Sequence, residues 1–374
     1  MKTLVLVGGG HAHVHVIKQL AKAPITDVAV ILISTNKKQY YSGMASAYLE
    51  GLYTEADFSF DLPRLCAHSG ISFIEDTVTA IDPSANSLET AAGLRVAFDI
   101  LSLDTGSELA GKNIPGAQEF AHMIKPLGNL IGLKKALEAA DRPLNIVITG
   151  AGAAGVEIAL AIRSLATQKG QSFTITIIEA GSEIMSGYLP GVKQACQKRL
   201  ADAEVTLLTK QRVTEITDKA LLLESARLVP YDLIIWAAGA TASRFYRESG
   251  LPVDQGGYLL VEPTLQAVDH PHIFGAGDCI AFKDYDYVKK VGVYAIREAP
   301  FLWENLCNSL AGKPLVSYQP QKSYLAIINQ GDRCGLLSYG GLVLKGRLVW
   351  RLKDAIDSRF MKTYQAANED GDDD

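Results

Sequence analysis

Cysteine is sparse and scattered. Cys66, Cys196, Cys279, Cys307 and Cys334 lie far apart, and no two of them form a C-x-x-C pair. This excludes a disulfide framework and reads as reduced, intracellular thiols. An excess of charge is also missing from most of the chain. The formal net charge of −5 resides in Glu369, Asp370, Asp372, Asp373 and Asp374, and the 41 acids less these five leave 36 against 36 Lys and Arg. A balanced body with an acidic tail has no clustered basic face, so nucleic acid is not an expected partner. Long hydrophobic runs are missing too. The most apolar stretch, residues 146–162, is interrupted by Gly150, Gly152, Gly155 and Glu157, which suits a strand, a tight turn and a helix better than a membrane span. The apolar run at residues 3–7 is short and passes into Gly8-Gly9-Gly10-His11 without a small-residue cleavage site, so a cytoplasmic location is expected. What is present is an ordinary globular composition: 374 residues with 48% hydrophobic, 21% charged and 33 Gly imply two or three domains at roughly 100–200 residues each.

Two glycine-rich turns organise the chain. Leu4-Val5-Leu6-Val7 reads as a buried strand, followed by Gly8-Gly9-Gly10-His11-Ala12-His13 and a helical pattern through Val16, Ile17 and Leu20. In such a unit one glycine permits the tight turn, another lets backbone approach a pyrophosphate, and the helix N-terminus offers unpaired N–H groups to the anion. The third position of G-x-G-x-x-G is His13 here, which makes the first turn imperfect. The second is complete: residues 144–148, then Gly150-x-Gly152-x-x-Gly155, then a helix through Val156, Ile158, Ala159 and Ile162. About thirty residues after Gly150 a strand ends at Glu179, where a carboxylate can accept both ribose hydroxyls and would repel a 2′-phosphate. NADH is therefore expected over NADPH. The corresponding strand of the first unit, residues 28–33, ends in Ser34-Thr35-Asn36 with no acid. Further strands end in Thr105-Gly106, in Ala238-Gly239 and in Gly277-Asp278.

In the order and spacing of these landmarks, residues 1–310 resemble the two-dinucleotide-binding-domain flavoproteins of the pyridine nucleotide-disulfide oxidoreductase superfamily. Within it the chain is most similar to the type II NADH dehydrogenase branch, including the NADH dehydrogenase-like proteins found alone or fused to selenide, water dikinase. The segments carrying this likeness are Gly8-Gly9-Gly10-His11-Ala12-His13, Tyr41-Ser42-Gly43-Met44 and residues 350–361. The resemblance implies an α/β fold with two Rossmann-like dinucleotide-binding domains plus a small C-terminal α+β region. FAD would occupy residues 1–110 and 250–312, NAD(P)H residues 111–249, and residues 313–374 would carry an amphipathic helix and the acidic tail. The flavin contacts it implies are Gly8, Gly9, Gly10, His11, Ala12, Ser34, Ser42, Val78, Thr105, Gly106, Gly277, Asp278, Tyr294 and Ala295. Those to the nicotinamide dinucleotide are Gly150, Gly152, Ala153, Ala154, Gly155, Glu179 and Gly239. Glu157 would reach the nicotinamide and the flavin N5 region as the catalytic residue. Its plainer role is as a partner of the helix dipole, worth about 0.3–1 kcal/mol.

The chemistry expected is hydride transfer from NADH to FAD and then electron transfer to an acceptor, with a quinone favoured. Disulfide reductases of the superfamily place a C-x-x-x-x-C pair where this chain has residues 40–51, with Ser42 and no cysteine. A sulfide- or selenium-compound oxidoreductase is the alternative enzyme, resting on Cys334. A flavin-holding redox sensor with little turnover is the alternative from another class. His11 and His15 have the i, i+4 spacing of a zinc pair, but they lie inside the phosphate-binding turn, and no metal is expected. Residues 291–306 read as a helix whose N-terminus points at the flavin ring. At the C-terminus, strands at 323–329 and 335–344 precede a helix from about Leu348 with Leu352, Ile356 and Phe360 on one stripe. That stripe is expected to pack on the flavin domain, with peripheral membrane contact as the alternative. A homodimer is compatible with this reading.

Overall fold

The computed structural model describes residues 1–365, so the acidic tail falls outside the described residues. The chain builds the same arrangement twice. In the first unit Lys2–Val7 pairs in parallel with Val28–Ser34 on one side and Ile100–Leu103 on the other, inside an eight-stranded sheet that also takes in His270–Gly275 and Ile280–Phe282. In the second, Leu144–Thr149 pairs in parallel with Phe173–Ile178 and Leu233–Trp236 inside a five-stranded sheet. Strands covered on both faces read as unbroken apolar runs. Leu4, Val5 and Leu6 are accordingly fully buried, as are Ile146 and Ile148.

Before each returning strand the chain makes a three-stranded antiparallel meander. One comprises Val78–Asp82, Ser87–Thr90 and Arg95–Ala97, the other Val213–Ile216, Ala220–Leu223 and Leu228–Pro230. These strands of three to five residues are half exposed and leave no strong period in the sequence.

The C-terminal region is a three-stranded antiparallel sheet, Ala326–Asn329, Gly335–Tyr339 and Leu342–Gly346, running into the helix Arg347–Gln365. The first strand begins at Ala326 rather than Ser323. The packing face of the helix also differs from the expected stripe. Val349, Trp350, Lys353, Asp357, Met361 and Tyr364 are the buried residues. Leu348, Leu352 and Ile356 are 76%, 44% and 42% exposed, so Leu352 and Ile356 of the expected stripe do not pack on the eight-stranded sheet. Phe360 alone of the predicted stripe is engaged, stacking on Tyr41 at 4.6 Å between ring centroids and on His11 at 5.8 Å. His15 Nδ1 lies 3.1 Å from the Tyr364 hydroxyl, which ties this helix to the helix of the first glycine turn. Among the described residues no helix is long and apolar enough to cross a membrane.

Candidate functional site

Each glycine turn follows a strand paired in parallel on both sides. Gly8 and Gly150 adopt nearly the same positive φ, 91° and 94°. Each is crossed by the backbone of the returning strand: a Cβ on Gly8 would lie 2.3 Å from the Asp104 carbonyl oxygen, and one on Gly150 2.6 Å from that of Ala237. The sixth position of the motif separates the turns. At Gly155 a Cβ would come within 1.9 Å of the Gly150 carbonyl, so only glycine fits. At the matching place His13 is fully buried, with Nδ1 2.6 Å from the Gly8 carbonyl and Nε2 2.8 Å from Ser102 Oγ. The imidazole substitutes hydrogen bonds for close helix–strand contact, which explains how an imperfect motif still makes the turn. Burial pulls its pKa down to about 4, so the ring is neutral at pH 7.

The two helix N-termini are used differently. In the second unit the helix Ala153–Lys169 has no side-chain cap at Gly152, and nothing lies within 4 Å of a Cβ placed there. This open cradle with outward amides fits a pyrophosphate. Glu179 closes one side: its carboxylate accepts the Ala151 N–H at 2.7 Å and the Gly181 N–H at 2.6 Å. In the first unit, whose helix is His11–Lys22, Asp104 Oδ2 accepts the Ala12 N–H at 2.9 Å and the His13 N–H at 3.3 Å. Ala12, expected to offer its amide to a phosphate, thus already donates it to a buried carboxyl group.

The other sequence-derived flavin residues gather around this turn or lie further out. Gly277, at φ 77°, donates its N–H to Glu298 at 2.6 Å, and Asp278 accepts from Ser107 Oγ at 3.4 Å with Lys125 Nζ 3.6 Å away. Tyr294 and Ala295 lie in the first turn of the helix Gly292–Leu310, and the Tyr294 hydroxyl donates to the Gln321 carbonyl. Ser42 Oγ is 3.6 Å from a Cβ built on Gly292, at the start of that helix. Thr105 Oγ1 bonds the Tyr246 hydroxyl, Gly106 sits at φ 70°, and Ser34 Oγ donates to its own loop at the Asn36 carbonyl. Val78 opens the first meander, and the Gly239 carbonyl accepts from Ala110.

Three separate parts of the chain converge on Glu157. Its Oε1 accepts the Asn329 N–H at 2.5 Å, and burial pushes the carboxyl up to about 7, opposed by the Lys353 ammonium and that N–H. Lys353 Nζ donates to the Gly43 carbonyl and to Asp357 Oδ2, both at 2.5 Å, while Asp357 Oδ1 accepts from the Tyr41 hydroxyl at 3.1 Å. Lys353 and Asp357 are only 6% and 5% exposed. Sequence reasoning missed this pair, because a Lys–Asp spacing of four on a helix normally marks a solvated face. It also missed Asp104 and Glu298. All five cysteines are free, and burial pushes the Cys66 and Cys279 thiols up to about 12.

Two strand–glycine turn–helix units, each closed by a meander and a returning strand, define a two-dinucleotide oxidoreductase architecture. The chain belongs to the pyridine nucleotide-disulphide oxidoreductase family, whose sequence profile matches residues 2–301. It is 28% identical to the demethylphylloquinone reductase NdbB of Synechocystis over 91% of this chain and 87% of that one. It is 23% identical to a type II NADH:quinone oxidoreductase of Staphylococcus saprophyticus over 97% and 94%. Among solved structures, the sulfide:quinone oxidoreductase of Aquifex aeolicus superimposes with a TM-score of 0.81 at 19% identity, covering 98% of this chain and 92% of that one. NDH2 of Plasmodium falciparum in complex with NADH does so with a TM-score of 0.81 at 15% identity, covering 98% and 97%.

Proposed function

We propose that this chain is an FAD-dependent NADH dehydrogenase that holds FAD at the first glycine turn and NADH at the second and passes electrons to a quinone. The observation that carries the reading is the duplicated turn with the Gly152 cradle left open and Glu179 beside it. Bound flavin supplies the two-electron chemistry that links a nicotinamide to a quinone. The residues of the chain bind, orient and handle protons. Residues 1–110 and 250–312 form the flavin half and residues 111–249 the NADH half. Glu179 selects NADH, since a 2′-phosphate would meet its carboxylate. Reducing a quinone consumes two protons, and Glu157, titrating near 7 beside the Lys353–Asp357–Tyr41 chain, is placed to hold one of them.

The exposed side of the C-terminal region supports contact with a lipid surface. Leu348, Leu352 and Ile356 on the helix, and Tyr339, Leu342 and Leu344 on the adjoining strands, are all exposed. A neighbouring cleft of about 440 Å³ is lined by Arg333, Arg347 and Arg351 together with Asp332 and Asp354. Apolar side chains beside arginines suit an anionic membrane face, where a lipophilic quinone resides. The test is direct: purified protein reconstituted with FAD should bleach on adding NADH and regain its colour on adding a quinone. Protein whose bound flavin ignores NADH would contradict the assignment, and flavin bleached by sulfide or a reduced selenium compound but not by NADH would make that compound the electron donor instead.

A further inference from the structure

We propose that Asp104 is a positioning residue for the flavin pyrophosphate, which the first turn accepts while this side chain is a neutral carboxylic acid and releases once it becomes a carboxylate. The inference rests on the reading that FAD binds at the first turn. Asp104 follows the returning strand Ile100–Leu103 and is 4% exposed. Its Oδ2 accepts two N–H groups at the N-terminus of the twelve-residue helix His11–Lys22, the end at which this turn would receive a phosphate. Its carboxyl group is packed so closely on the turn that a Cβ on Gly10 would lie 2.1 Å from it, and Oδ1 is 2.8 Å from a Cβ built on Gly277. Both N–H groups bond Oδ2, which leaves Oδ1 to carry the proton and act as the donor when the group is neutral.

The second unit provides an internal comparison. Ala237 stands at the position of Asp104, its carbonyl covering Gly150 as that of Asp104 covers Gly8. The fold therefore does not require an acid there, and the unit with alanine keeps its helix N-terminus open. A pyrophosphate brought to the first turn would share one helix end with a carboxyl group, and two anions that close cannot both stay charged.

Among the described residues no cation pairs with Asp104. From the first helix come His11 and His13, both pulled down to about 4 by burial and hence neutral at pH 7. The turn at Gly277 brings Asp278, and the helix Gly292–Leu310 brings Glu298, 1% exposed and pushed up to about 8 by burial. Tyr246 and Cys279 also face it, both held neutral by burial, and the Lys290 ammonium interacts with Cys279, Asp254, Asp278 and Glu298 and donates to the Ile280 carbonyl. Burial is likewise the main reason that Asp104 is pushed up to about 7, with the two N–H groups opposing it. Below that pH the acid is already neutral and FAD binding takes up no proton. Above it, each FAD bound takes up one, so affinity falls with rising pH.

The experiment measures the FAD dissociation constant of deflavinated protein by flavin fluorescence from pH 6 to 9, with a melting curve of the flavin-free protein at each pH. Wild-type protein should show a constant value up to about pH 7 and then a rise approaching tenfold per pH unit. Asp104→Asn, which keeps an acceptor for the two amides and adds a permanent donor, should bind FAD as wild type does at pH 6 and lose the slope. Asp104→Ala, which copies the second turn, should also be flat. Glu298→Gln should retain the slope. A flat wild-type profile, or an unchanged slope in Asp104→Asn, overturns the proposal, and loss of the slope in Glu298→Gln assigns the titration to Glu298 instead. Wild-type protein that takes up no FAD at any pH overturns the cofactor reading itself.

Discussion

Glu157 shows what a single buried carboxyl group contributes. Burial raises its pKa above its unfolded value, so the folded chain binds the proton more tightly, and stability falls as pH rises from about 4.5 to about 7. Glu157→Gln should therefore gain melting temperature relative to wild type at pH 8 more than at pH 5. The same variant should reduce quinone about a hundredfold more slowly, the lower end of what loss of a general acid costs, and lose the wild-type pH dependence near 7. Glu179→Ser should raise NADPH efficiency relative to NADH by about tenfold, because a carboxylate is removed from the place a 2′-phosphate would occupy. Equal use of both dinucleotides by wild-type protein would count against that assignment. Asp278→Ala should lose flavin on gel filtration, since Lys125 and Ser107 would be left facing the cofactor without their acid. At this scale the sequence was most legible where backbone geometry dictates residue type, as at Gly8, Gly150 and Gly155. Asp104, Glu298 and the Lys353–Asp357 pair were hidden, because their importance comes from burial by segments distant in the chain.

The C-terminal helix is the element whose existence was read correctly and whose orientation was not. Leu352, Ile356 and Phe360 suggest a packing face, yet the helix buries an ion pair and leaves Leu352 and Ile356 outside, with Phe360 alone packed. Periodicity locates a stripe without saying what covers it. The two faces therefore respond differently to substitution. Leu348→Glu with Leu352→Glu should leave Tm nearly unchanged, as exposed substitutions usually do, while abolishing flotation with anionic vesicles and slowing reduction of a long-chain quinone. Retained vesicle binding in that double variant would place the lipid contact elsewhere. Lys353→Met should cost about 3–5 kcal/mol in denaturant unfolding, because Asp357 is left charged and buried. Asp357→Leu added to it should recover most of the loss. Phe360→Glu is expected to destabilise through the His11–Tyr41–Phe360 stack, so it cannot serve as a surface probe.

For the whole molecule, duplication made the architecture readable. Two apolar runs followed by glycine turns, two returning strands and the spacing between them were enough to place the parallel strands of both sheets. The meanders at 78–97 and 213–230 escaped because their short strands stabilise one another through cross-strand pairing rather than through a buried stripe. The central claim is that the two turns hold two dinucleotides and that reducing equivalents pass from the second to the first. Anaerobic titration of the FAD-loaded protein with NADH, followed at the flavin absorbance band, tests it most directly. The account predicts full bleaching at one NADH per flavin in the wild type. Flavin that stays oxidised in the presence of excess NADH would contradict it.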